Sequence, residues 1–446
     1  MNEIVRWLRI GLIGWLIGGG FASSSAAESR LDWQTCPAGA YGHSSAAAMR
    51  CSWLTTKARL TGEPVRLRVT RLQAHPERPG HHPIIFVPGG PGEPGRQTDH
   101  ALRAWRSFQQ RAGWSHDLII FDPRGTGLSR PRLSCRTASK DNALGKCFDA
   151  LGADVANQLG IEAQVADLYR LIQTLDSGPV VLLAHSFGAV IAQALSRDHP
   201  ESVQTLVLES PIVRPLSGVF DERSMFERRR RQLIDRCREI RACRLAVPST
   251  RFLIDGWLDK AIAQPRDIAW VRPPYRARLI RLDRESFETL LIMTSYDTLR
   301  AGRLIERLRV AMAQPGRLAP LLAPVATLAR RSAKTAPVYW STRCSAPRGS
   351  DERDPPCRHW PVARVASGPR AEIVAPTLVI AGSQDILAPW PKLVRFVLRR
   401  PGRQLVTVAN AGHSVLRTNV CAQRLAEAFI RRRGAWLVRH RCPESR

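Results

Sequence analysis

The sequence predicts an α/β fold: a mostly parallel, doubly wound sheet with an inserted helical cap. Three observations predict it. Short apolar runs, PIIFVPGG, DLIIFDPRG, PVVLLAHS, QTLVLESP, PTLVIAGS and QLVTVANAG, each end in Gly, Pro, Asp or Ser. Helical patterns such as EAQVADLYRLIQTL lie between several of them, and strands alternating with helices pair in parallel with both sheet faces covered. The alternation stops after residue 213, and from Arg214 to Arg370 the chain is Arg-rich and helix-like, with Pro-rich breaks and no convincing strand.

The chain opens MNEIVRWLRIGLIGWLIGGGFASSSAAES. Arg6 and Arg9 precede an apolar run of about a dozen residues, and small residues follow around Ala26 and Ala27, the order of a secretory leader. That run is too short to span a bilayer comfortably. The expected organisation is therefore a signal peptide over 1–27, the first part of the core over 28–213, the cap over 214–370 and the rest of the core over 371–446. Export to the periplasm or the medium follows, with no stable membrane insertion after cleavage. VRLRVTRLQA, residues 65 to 74, alternates as a strand with one exposed face does.

Ten cysteines suit an oxidising compartment. They fall into close pairs along the chain, which predicts disulfides Cys36 to Cys51, Cys135 to Cys147, Cys237 to Cys243, Cys344 to Cys357 and Cys421 to Cys442. None has the C-x-x-C spacing of a zinc or redox site, and no metal or other cofactor is expected. The formal charge of +29 raises nucleic acid as a partner. Its distribution argues otherwise: the arginines are spread along the whole chain, with no basic arm, RNA-binding aromatic motif or zinc-finger spacing. A solvated basic surface accounts for the charge, and no nucleic-acid partner is expected.

In a sheet of this kind, reactive groups gather at the carboxyl ends of the strands. Val180 to Leu195, VVLLAHSFGAVIAQAL, passes from buried strand to helix with no polar linker, so Ser186 sits on a tight turn flanked by Ala184 and Gly188. Asp385 follows the strand PTLVIAG, and His413 follows QLVTVANAG. A serine hydroxyl needs a base to take its proton, and imidazole suits that task near neutrality. A carboxylate on the other ring nitrogen fixes the tautomer and stabilises the imidazolium. These needs assign Ser186 as nucleophile, His413 as base and Asp385 as orienting acid. The loop VPGGPGEPG brings backbone close to a developing oxyanion, with the amides of Gly90 and Phe187 as the candidate donors. His185, beside the nucleophile, reads as a filler of the turn and not as a second base.

On these residues the chain resembles the α/β-hydrolases that include proline iminopeptidases and tripeptidyl aminopeptidases. PGGPGEPG is similar to that family's Gly-Gly-Pro-Gly loop, and DPRGTGLS, residues 122 to 129, to its Asp-Gln-Arg-Gly-Thr-Gly-x-Ser segment. GSQDILAPW, ANAGHSVL and the closing Cys421 and Cys442 resemble the C-terminal part of exported tripeptidyl aminopeptidases. The likeness covers most of the mature chain and is weakest in the cap. Ala184, Phe187 and Pro123 depart from the family's Gly, Tyr and Gln, and Ser345-Ala346-Pro347 follow Cys344 where relatives carry an acidic pair.

The resemblance implies an exported serine aminopeptidase, of proline iminopeptidase or tripeptidyl aminopeptidase type, acting on a small peptide. The alternatives are an esterase or amidase acting on an uncharged acyl or ester substrate, and a non-catalytic binding protein on the same scaffold. An aminopeptidase needs a carboxylate for the substrate's ammonium group. Glu222, Glu227, Glu285, Glu288 and Asp297 are the cap acids to examine, and Glu285 with Glu288 share one helix face at i, i+3, making them the candidate substrate-binding pair. Oligomeric state is not encoded in any of these features.

Overall fold

The computed structural model describes residues 30–36, 49–74, 82–135, 141–213, 221–239, 250–272, 276–296, 299–346, 355–365, 372–437 and 440–444. The expected signal peptide, 1–27, lies outside the described residues. In chain order the strands are β1 (Gln34–Thr35), β2 (Met49–Leu60), β3 (Glu63–Leu72), β4 (Ile84–Val87), β5 (Leu118–Phe121), β6 (Val180–His185), β7 (Val203–Glu209), β8 (Arg266–Arg272), β9 (Arg276–Leu282), β10 (Thr377–Gly382), β11 (Arg403–Val408) and β12 (Arg441–Cys442). Ten of them form one sheet in the order β1-β2-β3-β5-β4-β6-β7-β10-β11-β12. The segment from β5 to β12 is parallel throughout, and β1, β2 and β3 add an antiparallel edge.

The apolar runs are continuous because both faces of the parallel strands are covered. Ile85, Leu182, Leu206 and Val379 pack into one layer, with residues of helices Ile161–Leu175 and Gly188–Asp198. Ile84, Phe86, Leu183, Val207 and Ile380 pack into the opposite layer, with residues of helices Asp99–Ala112 and Val420–Arg431. Each fully buried side chain of this size contributes about 1.5–3 kcal/mol relative to exposure. Disulfides Cys36–Cys51, Cys135–Cys147, Cys344–Cys357 and Cys421–Cys442 form as expected. The expected partner of Cys237, Cys243, lies outside the described residues.

Between β7 and β10 the chain builds a separate apolar cluster that includes Phe226, Trp257, Phe287, Leu291, Leu308 and Leu322. Its helices include Glu222–Glu239, Thr250–Ala263, Arg284–Met293, Leu299–Ala313 and Ala319–Ser345. Trp257 donates its indole N–H to the Leu308 carbonyl at 2.9 Å, so its one polar atom is satisfied inside the cluster. The expectation of no strand here is corrected: β8 and β9 pair antiparallel from Arg266↔Leu282 to Arg272↔Arg276. Among the described side chains of the hairpin, Ile268, Ile280 and Leu282 are buried and Leu279 is exposed. Arg276 and Arg278 share the parity of Ile280 and Leu282, so the sequence shows no clean period of two.

The turn after β5 fixes the loops above the sheet. Asp122 Oδ1 accepts from the Gly95 amide and Oδ2 from the Leu128 amide, both at 2.7 Å. Gly127, at φ 52°, lies so close to that carboxylate that a Cβ would collide with it. Arg124 reaches the other way, donating from Nε to Asp167 Oδ2 at 2.7 Å, from a terminal nitrogen to Asp167 Oδ1 at 2.5 Å and from the other to the Gln158 carbonyl at 2.8 Å.

The Arg124–Asp167 side chains are only 5% and 4% exposed, so removing one partner strands a buried charge. We expect Arg124→Met to lower unfolding stability by about 3–5 kcal/mol, and adding Asp167→Leu to restore most of it. Burial pushes the Asp167 carboxyl up even against the pull of Arg124. Removing Arg124 removes that pull and raises the carboxyl further; a group raised on folding costs stability as pH rises, so the Arg124→Met loss should shrink on acidification. Urea titrations of the single and double variants at acid and neutral pH check this, and a pH-independent loss contradicts it.

Candidate active site

Ser186 sits at the corner between β6 and helix Gly188–Asp198 with φ 51°, a left-handed conformation costly for a residue with a Cβ. Three backbone bonds hold it there. Its N–H donates to the Glu209 carbonyl at 2.9 Å, and its carbonyl accepts from Ile212 at 3.0 Å and Ala189 at 3.2 Å. Gly188 is pressed against the Val87 and Pro88 carbonyls, leaving no room for a side chain. The strained corner is thus over-determined by β4 and β7, and the serine hydroxyl stands above the carboxyl edge of the sheet.

His413 is fully buried, in the loop after β11. Its Nε2 lies 2.8 Å from Ser186 Oγ and its Nδ1 lies 2.9 Å from Asp385 Oδ2. An ionised Asp385 accepts only, so Nδ1 carries the proton and Nε2 is left to accept from the serine. Asp385 Oδ1 in turn accepts from the Leu387 and Ala388 amides, each at 2.9 Å. Burial pushes the Asp385 carboxyl up, but His413 and the Ala388 amide outweigh it and hold the group below the usual carboxylate range. The stability gained from these contacts is present at neutral pH and lost as pH falls through that depressed value.

Two glycines let the acid and base loops close on each other. A Cβ on Gly382 would strike the Ala411 carbonyl, and one on Gly412 would strike the carbonyl of Ser295. Ser295 precedes Tyr296 at the end of the cap segment Thr294–Tyr296, and its carbonyl accepts from the His413 amide at 2.9 Å. Tyr296, 47% exposed, sets its ring edge-on to His413 with centroids 5.0 Å apart. Local desolvation first, then the charges of Glu93 and Asp385, push its hydroxyl well above an ordinary phenol.

The loop from Pro88 to Gly95 lies against the nucleophile: a Cβ on Gly89 would stand 3.0 Å from the Ser186 Cβ. Gly90, with φ 111°, is the next residue, and Phe187, buried, caps the helix that follows Ser186. Both candidate amide donors are thus chain neighbours of residues in contact at the serine. Helix Ala319–Ser345 covers this loop, with the Tyr339 amide 3.1 Å from where a Gly92 Cβ would stand.

His185 is more than a filler. Its Nδ1 lies 3.2 Å from Glu209 Oε2, an ion-pair distance with off-line hydrogen-bond geometry, while Glu209 Oε1 accepts from the Leu416 amide at 2.7 Å. Burial works against both charges. The Glu209 carboxylate nonetheless holds His185 above its ordinary value, and His185 with the Leu416 amide holds Glu209 below its own. Sequence reasoning passed over Glu209, although its place at the end of QTLVLESP, beside the strand that carries Ser186, is the available signal.

Glu285 and Glu288 both lie on the cap helix Arg284–Met293, Glu285 exposed and Glu288 3.4 Å from Arg284. Glu227 lies 3.8 Å from Arg230. Asp297 and the side chain of Glu222 lie outside the described residues. Among the described residues, no group of three or more His, Cys, Asp or Glu is placed to hold a metal ion. Among the described residues, no helix is long and apolar enough to cross a membrane.

The model for the alpha/beta hydrolase fold matches residues 82–239, which include the Gly-rich loop and Ser186, and the model for TAP-like protein matches residues 346–434, which include Asp385 and His413. The chain is an α/β-hydrolase with a TAP-like C-terminal part. The curated relatives of this hydrolase include the Escherichia coli protein YuaR, 29% identical over 33% of this chain and 31% of that one. Serine protease Hip1 of Mycobacterium tuberculosis is 25% identical over 34% of this chain and 33% of its own. Tripeptidyl aminopeptidase of Streptomyces coelicolor is 29% identical over 26% of this chain and 22% of its own. The hydrolase thus spans about a third or less of the length of these relatives.

Proposed function

We propose that the hydrolase is an exported serine aminopeptidase that releases short N-terminal pieces from peptides through an acyl-enzyme. The observation that carries the acyl-enzyme chemistry is the unbroken series Ser186, His413, Asp385, with heavy-atom distances of 2.8 and 2.9 Å. Ser186 Oγ attacks the scissile carbonyl carbon while His413 Nε2 takes its proton, and Asp385 stabilises the imidazolium that results. The amides of Gly90 and Phe187 donate to the carbonyl oxygen as it becomes an oxyanion. As the intermediate collapses, the C–N bond breaks and the leaving amine takes the proton from His413. Water then attacks the acyl-enzyme, again losing a proton to His413, and Ser186 leaves as the hydroxyl.

Peptide substrates are supported by the two peptidase relatives, and export by the disulfides seen among the described residues together with the leader-like sequence of residues 1–27. The cap acids Glu285 and Glu288 remain candidates for contacts to the substrate. The test is hydrolysis of aminoacyl and tripeptidyl 4-nitroanilides beside their N-acetylated forms. We expect preference for the free amine. Equal or faster hydrolysis of the acetylated compounds, or activity confined to simple esters, assigns the enzyme to the esterases instead.

A further inference from the structure

We infer that Glu93, on the Gly-rich loop itself, is the carboxylate that binds the protonated amino terminus of the substrate. This rests on the aminopeptidase reading. An ammonium group brought into a half-buried site needs a carboxylate that is close to the reacting serine, fixed in place and not already committed. Glu209 and Asp385 are close but committed, the first to the Leu416 amide and His185, the second to two amides and His413. Both are also buried.

Glu93 is close and fixed, and its ion pair with Arg96 is a loose one. Its loop touches Ser186 through Gly89, and its own amide donates to the Gly89 carbonyl at 3.2 Å. Two residues on, the Gly95 amide is pinned to Asp122, and one residue before, Gly92 is packed against Tyr339. The stem of the carboxylate is therefore anchored on both sides. Its charge reaches His185 and Tyr296, whose rings flank His413 at 5.1 and 5.0 Å. The side chain is 40% exposed and lies 3.7 Å from Arg96, beyond hydrogen-bond length, which leaves its oxygens able to accept from an ammonium. Because the carboxylate and the Gly90 amide share one loop, the piece between amino terminus and scissile carbonyl is a few residues at most. Each extended residue adds about 3.3–3.6 Å.

The probes are alanyl and trialanyl 4-nitroanilides, free and N-acetylated, with the full enzyme and its Glu93→Gln and Arg96→Gln variants. Glu93→Gln should lower the free-to-acetylated ratio of kcat/KM by about tenfold to a hundredfold, mainly through KM, as expected for loss of one charge-assisted contact. Arg96→Gln, which removes the competing cation, should raise the ratio. An unchanged ratio in Glu93→Gln overturns the assignment, and so does an equal fall on both substrates, which would report a disturbed loop. If the unaltered enzyme shows no preference for the free amine, the aminopeptidase reading fails along with it. A preference that survives Glu93→Gln leaves that reading standing and removes Glu93 alone.

Discussion

Replacing Ser186 with alanine is expected to lower kcat by about 10⁶, the scale seen when a serine hydrolase loses its nucleophile. The neighbouring hydroxyls offer no substitute. Ser210 is buried beside Asp385 and receives the Ser414 amide, so it faces the acid and not Nε2 of His413. Ser295 is buried too and meets His413 through its carbonyl. A fluorophosphonate should label the unaltered enzyme at Ser186 and fail to label the variant. Activity within a hundredfold of normal in Ser186→Ala, or an adduct on another serine, contradicts the assignment.

For Asp385→Asn the expected loss is about 10⁴ in kcat, the size of a wrong-tautomer defect in a serine hydrolase of another fold. The geometry gives the reason. The Leu387 and Ala388 amides donate to Oδ1, so they hold the carboxamide oxygen on their side. Its NH₂ then points at His413 Nδ1, which must accept, and the ring proton moves to Nε2 facing Ser186. The base is present but its lone pair is on the wrong side. Fold and stability should change much less than activity, since the shape is kept. Parallel thermal unfolding and steady-state kinetics separate the two, and a loss below tenfold in kcat rules out the assigned role.

Much of this site is legible in the sequence because its carriers are local. A Val/Leu run that ends at Ala184, His185 and Ser186 and continues directly into a helix demands a tight corner, and the loops after PTLVIAG and QLVTVANAG fall at the same edge of the sheet once the strands are parallel. Glu209 is different. Its role depends on β7 lying beside β6 and on the Leu416 amide arriving from more than 200 residues away, neither of which local pattern encodes. The β8–β9 hairpin was hidden for another reason: Arg276 and Arg278 take the parity of Ile280 and Leu282, which breaks the alternation that marks a strand, and burial of Ile268, Ile280 and Leu282 is visible only in the fold. The supports of the Gly-rich loop, Asp122 from one side and Tyr339 from the other, also come from distant parts of the chain.

The contact between the Ser295 carbonyl and the His413 amide ties the base to the inserted cap. The nucleophile and its corner are complete once β4, β6 and β7 have paired. The imidazole also depends on the cap, because its backbone amide donates to the carbonyl of Ser295. A chain whose Thr294–Tyr296 segment is undocked keeps the nucleophile's corner and loses this hold on the backbone of the base. The insertion thus braces the base as well as enclosing its own apolar cluster.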